Sequence, residues 1–212
     1  MPEPAGAARV HRVALTGGIA TGKSHVRAAF DRLDVPTIDS DTLARHAVAA
    51  GSAGLKAVVQ RFGAEVLDAS GALDRRKLGD IVFADPEARR ALEAIVHPEV
   101  RMATERWFAS LDATRHTYAI ADIPLLYEVG RDADFEAVIV AACDPAAQLR
   151  RVMDRDALSE DEARRRIEAQ MPIDDKMRRA DYVIRTDGTL EDTGRQVGGV
   201  FARLNARWQR AR

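Results

Sequence analysis

Gly17-Gly18-Ile19-Ala20-Thr21-Gly22-Lys23-Ser24 has the spacing G-x-x-x-x-G-K-S, directly after the apolar run Val13-Ala14-Leu15. Glycines at that spacing let backbone N–H groups turn inward around phosphate oxygens. A helix that starts beside the lysine presents its positive end to the same anion. Lys23 would then reach the β- and γ-phosphates, and the Ser24 hydroxyl would ligate Mg²⁺. A glycine-rich turn between a strand and a helix is the bland alternative, and the full set of letters in this context weighs against it. The pattern predicts binding of a nucleoside triphosphate or a close relative of one.

Phosphoryl transfer needs an acceptor hydroxyl held by a carboxylate. Asp39-Ser40-Asp41 ends a short apolar segment, where the carboxyl ends of parallel strands face a ligand crevice. Asp41 is the candidate base and Ser40 the candidate helix cap. Arg45 follows Asp41 by four residues, a spacing that serves a shared site or a surface ion pair equally well. Asp122 ends the apolar run Tyr118-Ala119-Ile120-Ala121 and is a candidate for Mg²⁺ or substrate contact, with capping of the next turn as the alternative. Asp144 precedes Pro145 and reads better as a cap. His97, before Pro98, reads from its surroundings as structural rather than functional. Gln148–Arg179 is dense in both charges, so most of it is expected to be a solvated helical face. Its arginines could also serve a lid that closes over phosphates, and Arg151 and Arg155, four apart, could enter together.

The elements that must position these residues are legible as short apolar runs alternating with helical patterns, the mark of a parallel sheet covered by helices. Strands are expected at His11–Leu15, Pro36–Asp39, Thr117–Asp122, Ala137–Ala142 and Tyr182–Arg185. They are rich in Val, Ile and Ala without strict alternation, as strands buried on both faces are. Between the second and third strands, residues 42–113 carry no such pattern. Helices are expected there around Ala53–Arg61, Arg75–Phe83, Pro86–Ile95 and Pro98–Leu111. Residues 42–113 are therefore read as a helical insertion into a nucleotide-binding core of residues 9–41 and 114–212, with a lid at about 148–179. A last helix, roughly Thr189–Trp208, places Leu190, Val197, Val200, Phe201 and Leu204 on a core-facing stripe. The short Ala/Pro-rich start is expected to fray.

The 212 residues suffice for one sizeable core plus an inserted subdomain. A formal net charge of −1 argues against nucleic acid or an anionic membrane as partner. Neither a signal peptide nor a membrane-spanning run is expected, which points to a cytoplasmic protein. The single cysteine, Cys143, lies inside an apolar run and reads as a buried core thiol. No metal-ligand cluster is apparent, and nothing points to an obligate protein partner.

Several of these residues fall into a wider pattern. Leu15-Thr16-Gly17-Gly18-Ile19, Ile38-Asp39-Ser40-Asp41 leading into Leu43-Ala44-Arg45, and Ile95-Val96-His97-Pro98 occur in order. Asp122-Ile123-Pro124-Leu125-Leu126-Tyr127-Glu128, the spaced Gln148, Arg151 and Arg155, and Ala180-Asp181-Tyr182-Val183-Ile184 follow. Together they resemble the dephospho-CoA kinase family over about Val13 to Gly188. The resemblance implies an α/β, three-layer P-loop NTPase core with a five-stranded parallel sheet, a helical substrate-binding insertion and a helical lid. It implies transfer of a phosphoryl group from ATP, with Mg²⁺, to the ribose 3′-hydroxyl of dephospho-CoA. On it, Asp41 is the base, Arg45 and His97 are substrate contacts in the CoA-binding insertion, Asp122 and Leu125 border the substrate, and Arg151 and Arg155 are lid arginines. His25, Ser40 and Thr186 depart from the family's usual Thr, Ala and Asn. The competing readings are a kinase for another nucleoside or small hydroxylated metabolite, and a nucleotide-dependent switch. The switch leaves Arg45 and His97 unexplained.

Overall fold

A computed structural model describes residues 9–209, which leaves the Ala/Pro-rich start outside the described residues. The elements are β1 (His11–Gly17), α1 (Lys23–Asp31), β2 (Thr37–Asp39), α2 (Ser40–Ala47), α3 (Ala53–Phe62), α4 (Arg75–Ala84) and α5 (Pro86–Ser110). They continue as β3 (Tyr118–Asp122), β4 (Ala137–Ala142), α6 (Pro145–Asp156), α7 (Glu160–Glu168), α8 (Ile173–Arg179), β5 (Tyr182–Arg185) and α9 (Leu190–Gln209). The five strands form one sheet in the order β2-β3-β1-β4-β5. β1 runs parallel to β3 on one side and β4 on the other, and β5 runs parallel to β4.

The register explains the site. Leu15 lies opposite Asp122, so the phosphate loop and that carboxylate leave the sheet at the same end. β1 is two residues longer than the apolar run predicts, because Thr16 and Gly17 stay paired with Val140 and Ala141. The first glycine of the loop is thereby anchored in the sheet.

β3 and β4 are buried along their whole length, which accounts for their unbroken apolar character. On one face Val13, Leu15, Ile120, Ile139 and Ile184 meet Val26 and Phe30 of α1 and Val197, Val200 and Leu204 of α9. Each such side chain contributes about 1.5–3 kcal/mol on burial. Leu190, assigned to that stripe from its spacing, is instead 71% exposed at the helix start, before the stripe turns inward. α8 packs against β4. No helix among the described residues is long and apolar enough to cross a membrane.

The chain divides into two compact units, residues 1–38 with 111–212, and residues 39–110. The second holds α2 to α5 around its own core of Val48, Val58, Phe62, Val66, Leu78 and Ala88. Here one expectation is corrected: the helices read as Pro86–Ile95 and Pro98–Leu111 are the single α5, with Pro98 inside it. A proline in a helix interior costs about 3 kcal/mol through a lost N–H and a clash. Burial of Ala88 before it and Val100 and Phe108 after it outweighs that cost.

Candidate active site

The loop leaves β1 at Gly17 and enters α1 at Lys23, with Gly22 as the helix N-cap at φ 81°. That backbone is in the left-handed region, which glycine occupies without a Cβ penalty. A Cβ at Gly22 would also sit 3.1–3.2 Å from the side chain of Thr186. Ala20 shares the left-handed region at φ 56°. Thr21 is buried and its hydroxyl donates to the carbonyl of Gly18 at 2.9 Å. Ser24 is exposed on the first turn of α1.

Lys23 Nζ donates to the carboxylate of Asp122, whose side chain is 2% exposed. Arg27, one turn further along α1, approaches the other oxygen of Asp122 at 3.5 Å. A carboxylate this deeply buried is tolerable only beside cations. The pairing gives Lys23 a fixed direction above the sheet end. Ser24 and Asp122 supply a hydroxyl and a carboxylate, the hard oxygen donors that suit magnesium when phosphates and water complete its shell.

The loop is also gripped from the C-terminal part of the chain, in part by Lys176 and Gln170, to which sequence reading assigned no role. Lys176 of α8 is wholly buried, with its Nζ 2.8 Å from Glu128 Oε1, 3.2 Å from the Pro124 carbonyl and 3.4 Å from the Gly17 carbonyl. Burial pushes the Glu128 carboxyl up, but the Lys176 bond and the Met171 N–H hold it below the ordinary value. Gln148 Nε2 donates to the Ile19 carbonyl at 2.9 Å, and the Ile19 N–H donates to Gln170 Oε1 at 2.8 Å. Thr186 Oγ1 donates to the Thr21 carbonyl at 2.8 Å. Arg151 donates to Thr186 Oγ1 at 3.1 Å and to its carbonyl at 2.6 Å. Thr186, a departure in sequence, is therefore a buried brace between strand end and loop. Lys176 was hidden in a run of charges, and only its tertiary burial sets it apart.

The remaining expected residues lie as follows. Arg155 is exposed and bonded through Nε and Nη2 to Asp156, so it is not brought to the loop. Leu125 is 38% exposed. Asp144 caps α6, accepting from the Ala146 and Ala147 N–H groups. Cys143 is buried, and burial pushes its thiol up. In the helical unit, Asp41 and Arg45 are exposed on α2 and His97 is exposed midway along α5. The cap of α2 is not Ser40, as its residue type predicts, but Asp39. Its carboxylate accepts from the Asp41 N–H at 2.9 Å, which leaves Ser40 as the first helical residue. The same unit contains a cavity of about 240 Å³ lined by Ala44, Val48, Leu78, Val82, Leu92 and Val96, with Arg75 beside it.

Comparison with known proteins agrees with this chemistry. The family model described as dephospho-CoA kinase matches residues 11–192. A dephospho-CoA kinase of Anaeromyxobacter dehalogenans is 49% identical over 192 residues, covering 91% of each chain. The crystal structure of a Thermus thermophilus protein superposes with a TM-score of 0.79 at 36% identity, covering 92% of this chain and 98% of that one. A dephospho-CoA kinase from Campylobacter jejuni gives a TM-score of 0.70 at 28% identity, covering 91% and 96%.

Proposed function

The chain belongs to the dephospho-CoA kinase family, and on that premise we propose how it moves the γ-phosphoryl group of ATP to the ribose 3′-hydroxyl of dephospho-CoA. The observation that carries the reading is the intact phosphate loop with Lys23 set against the buried Asp122. The N–H groups at the start of α1 and the Lys23 ammonium bind the phosphates and take up charge on the transferring group. Ser24 and Asp122 are the residues that would hold Mg²⁺, which when bound neutralises phosphate charge. Asp41 orients the acceptor 3′-hydroxyl and accepts its proton as the new P–O bond forms and ADP leaves. Because the transition state is loose, alignment and charge stabilisation matter more than the strength of the base.

Arg45 and His97 bind the acceptor from the helical unit. An apolar cavity lies in the same unit, lined by Ala44 of α2 and Val96 of α5 among others. It suits the uncharged arm of the acceptor, while arginines suit its pyrophosphate. Arg151 contributes through the Thr21–Thr186 brace and as a cation near the loop.

The test is ADP release by the purified chain with Mg²⁺ and ATP, with and without dephospho-CoA, and the mass of the product. Acceptor-dependent release with a product one phosphate heavier is expected. Nucleotide binding without it would overturn the acceptor assignment. Lys23→Ala should lower turnover by about a thousandfold or more while the fold persists. Asp41→Asn should lower kcat by about 10²–10⁴-fold with ATP affinity little changed. A collapse of ATP affinity with kcat intact would make Asp41 structural.

A further inference from the structure

Two glutamines hold opposite sides of one residue of the phosphate loop. Gln148, on α6, is 4% exposed and donates through Nε2 to the Ile19 carbonyl at 2.9 Å. Gln170, just after α7, accepts the Ile19 N–H at 2.8 Å. Gln148 Nε2 also lies 2.7 Å from where a Cβ of Gly18 would be, so the glycine and the glutamine interlock. The loop around Ile19 is Gly-Gly before it and Ala after it, and such residues have little side chain with which to fix their own conformation.

We propose that Gln148 and Gln170 are positioning residues for phosphoryl transfer, holding the Ile19 peptide so that the neighbouring loop amides are aimed before nucleotide arrives. Preorganised donors cost no reorganisation when the anion binds, and this is where electrostatic catalysis gains most. The two bonds are of opposite polarity, which separates bracing from simple occupancy of an empty site. A phosphate oxygen is only an acceptor, so it could replace Gln170 on the Ile19 N–H but never Gln148 on the Ile19 carbonyl. The Gln148 bond is therefore compatible with bound nucleotide. Its own placement is secured by the Asp144 cap at the start of α6, one turn before it.

The inference rests on reading the loop as the triphosphate site. The experiment compares the full chain with Gln148→Leu and Gln170→Leu, measuring ADP affinity by calorimetry with Mg²⁺, steady-state kinetics, melting temperature and exchange of the Ile19 amide. Each variant should weaken ADP about tenfold and lower kcat about tenfold or more, with KM for dephospho-CoA within about twofold of the parent. In Gln170→Leu the Ile19 amide should lose its exchange protection. A lower melting temperature with kcat and ADP affinity unchanged would overturn the proposal in favour of mere packing. Tighter ADP binding in Gln170→Leu would overturn it in favour of a side chain that competes with the ligand. If the buried Gln148→Leu fails to fold, the half-buried Gln170→Leu decides alone. The unaltered chain is the control for the functional reading: failure to phosphorylate dephospho-CoA there sinks the acceptor, and ADP affinities still test the brace.

Discussion

At Gly22 the backbone, the loop and a distant side chain meet within a few ångströms. Substituting alanine there forces a Cβ into the left-handed region, at about 1–2 kcal/mol, and within 3.1–3.2 Å of Thr186. Gly22→Ala is expected to lower the melting temperature and weaken ADP binding about tenfold or more. Adding Thr186→Ser removes one of the three crowding atoms, the methyl, and keeps the hydroxyl for the Thr21 carbonyl, so the double variant should recover part of the loss. No recovery would place the damage in the backbone dihedral and the contacts that serine keeps, not in the methyl. Cys143 gives a second check at this scale. With its thiol pushed up by burial, it should resist a disulfide reagent until the chain unfolds, and rapid labelling of the folded protein would contradict the burial. The loop itself was legible because its eight residues are contiguous and its chemistry is local. Gln170 and Lys176 were not, and Gln148 and Thr186 were marked by pattern but not as braces, because their partners in the loop lie more than a hundred positions away and only folding sets them against it.

Among the elements, α6 ties local sequence rules to the site. Asp144 satisfies two otherwise unpaired N–H groups, and Pro145 begins the helix where its missing N–H costs nothing. Asp144→Ala should cost about 1 kcal/mol, a fall of about 2–4 °C in melting temperature for a chain of this size. Asp144→Asn, also a good cap, should lose far less. The first turns of α6 also carry Gln148, so the alanine variant should weaken ADP binding as well, and an unaffected affinity would uncouple cap from loop. Such caps are readable because they depend on a few adjacent residues. The strands were readable too, since a sheet covered on both faces demands continuous apolar runs. What failed was Pro98, where a local rule that ends helices lost to burial along the rest of α5. Ser40 failed for a related reason: Asp, Ser and Asp compete for one capping position, and backbone geometry chose Asp39.

Across the molecule, carboxylates held below their ordinary values set the response to acid. Asp68, Asp74 and Asp192 are lowered chiefly by hydrogen bonds from neighbouring residues, and Asp156 by its bond to Arg155. For Glu136, burial pushes upward, but the bonds from His11 and the Arg12 N–H and the nearby charges of His11 and Arg9 prevail and lower it. A carboxyl with a lower value when folded leaves the unfolded chain binding more protons, so stability rises with pH across that interval. The contribution is complete above the ordinary carboxylate range near pH 4 and is lost as pH falls through the lowered values. Urea unfolding should therefore show stability falling as pH drops below about 4.

Glu136 isolates one share of that loss. It joins the start of β1 to the segment before β4, accepting from His11 Nδ1 at 2.6 Å, while the His11 ring stacks on Trp208 at 4.5 Å. Charge-assisted bonds of this kind are worth about 1.5–3 kcal/mol when shielded, and the 28% exposure of the Glu136 side chain reduces that. Glu136→Gln keeps the shape and drops the charge, so it should be less stable than the parent by about 1–2 kcal/mol at pH 7. As pH falls through the lowered value of Glu136 the parent takes up its proton there and becomes nearly equivalent to glutamine, so the gap between the two chains should narrow and then close. A gap as wide at pH 3 as at pH 7 would assign the loss to packing around Trp208. Closure of the gap would mean that the starting end of the β1–β4 strand pair is held by charge.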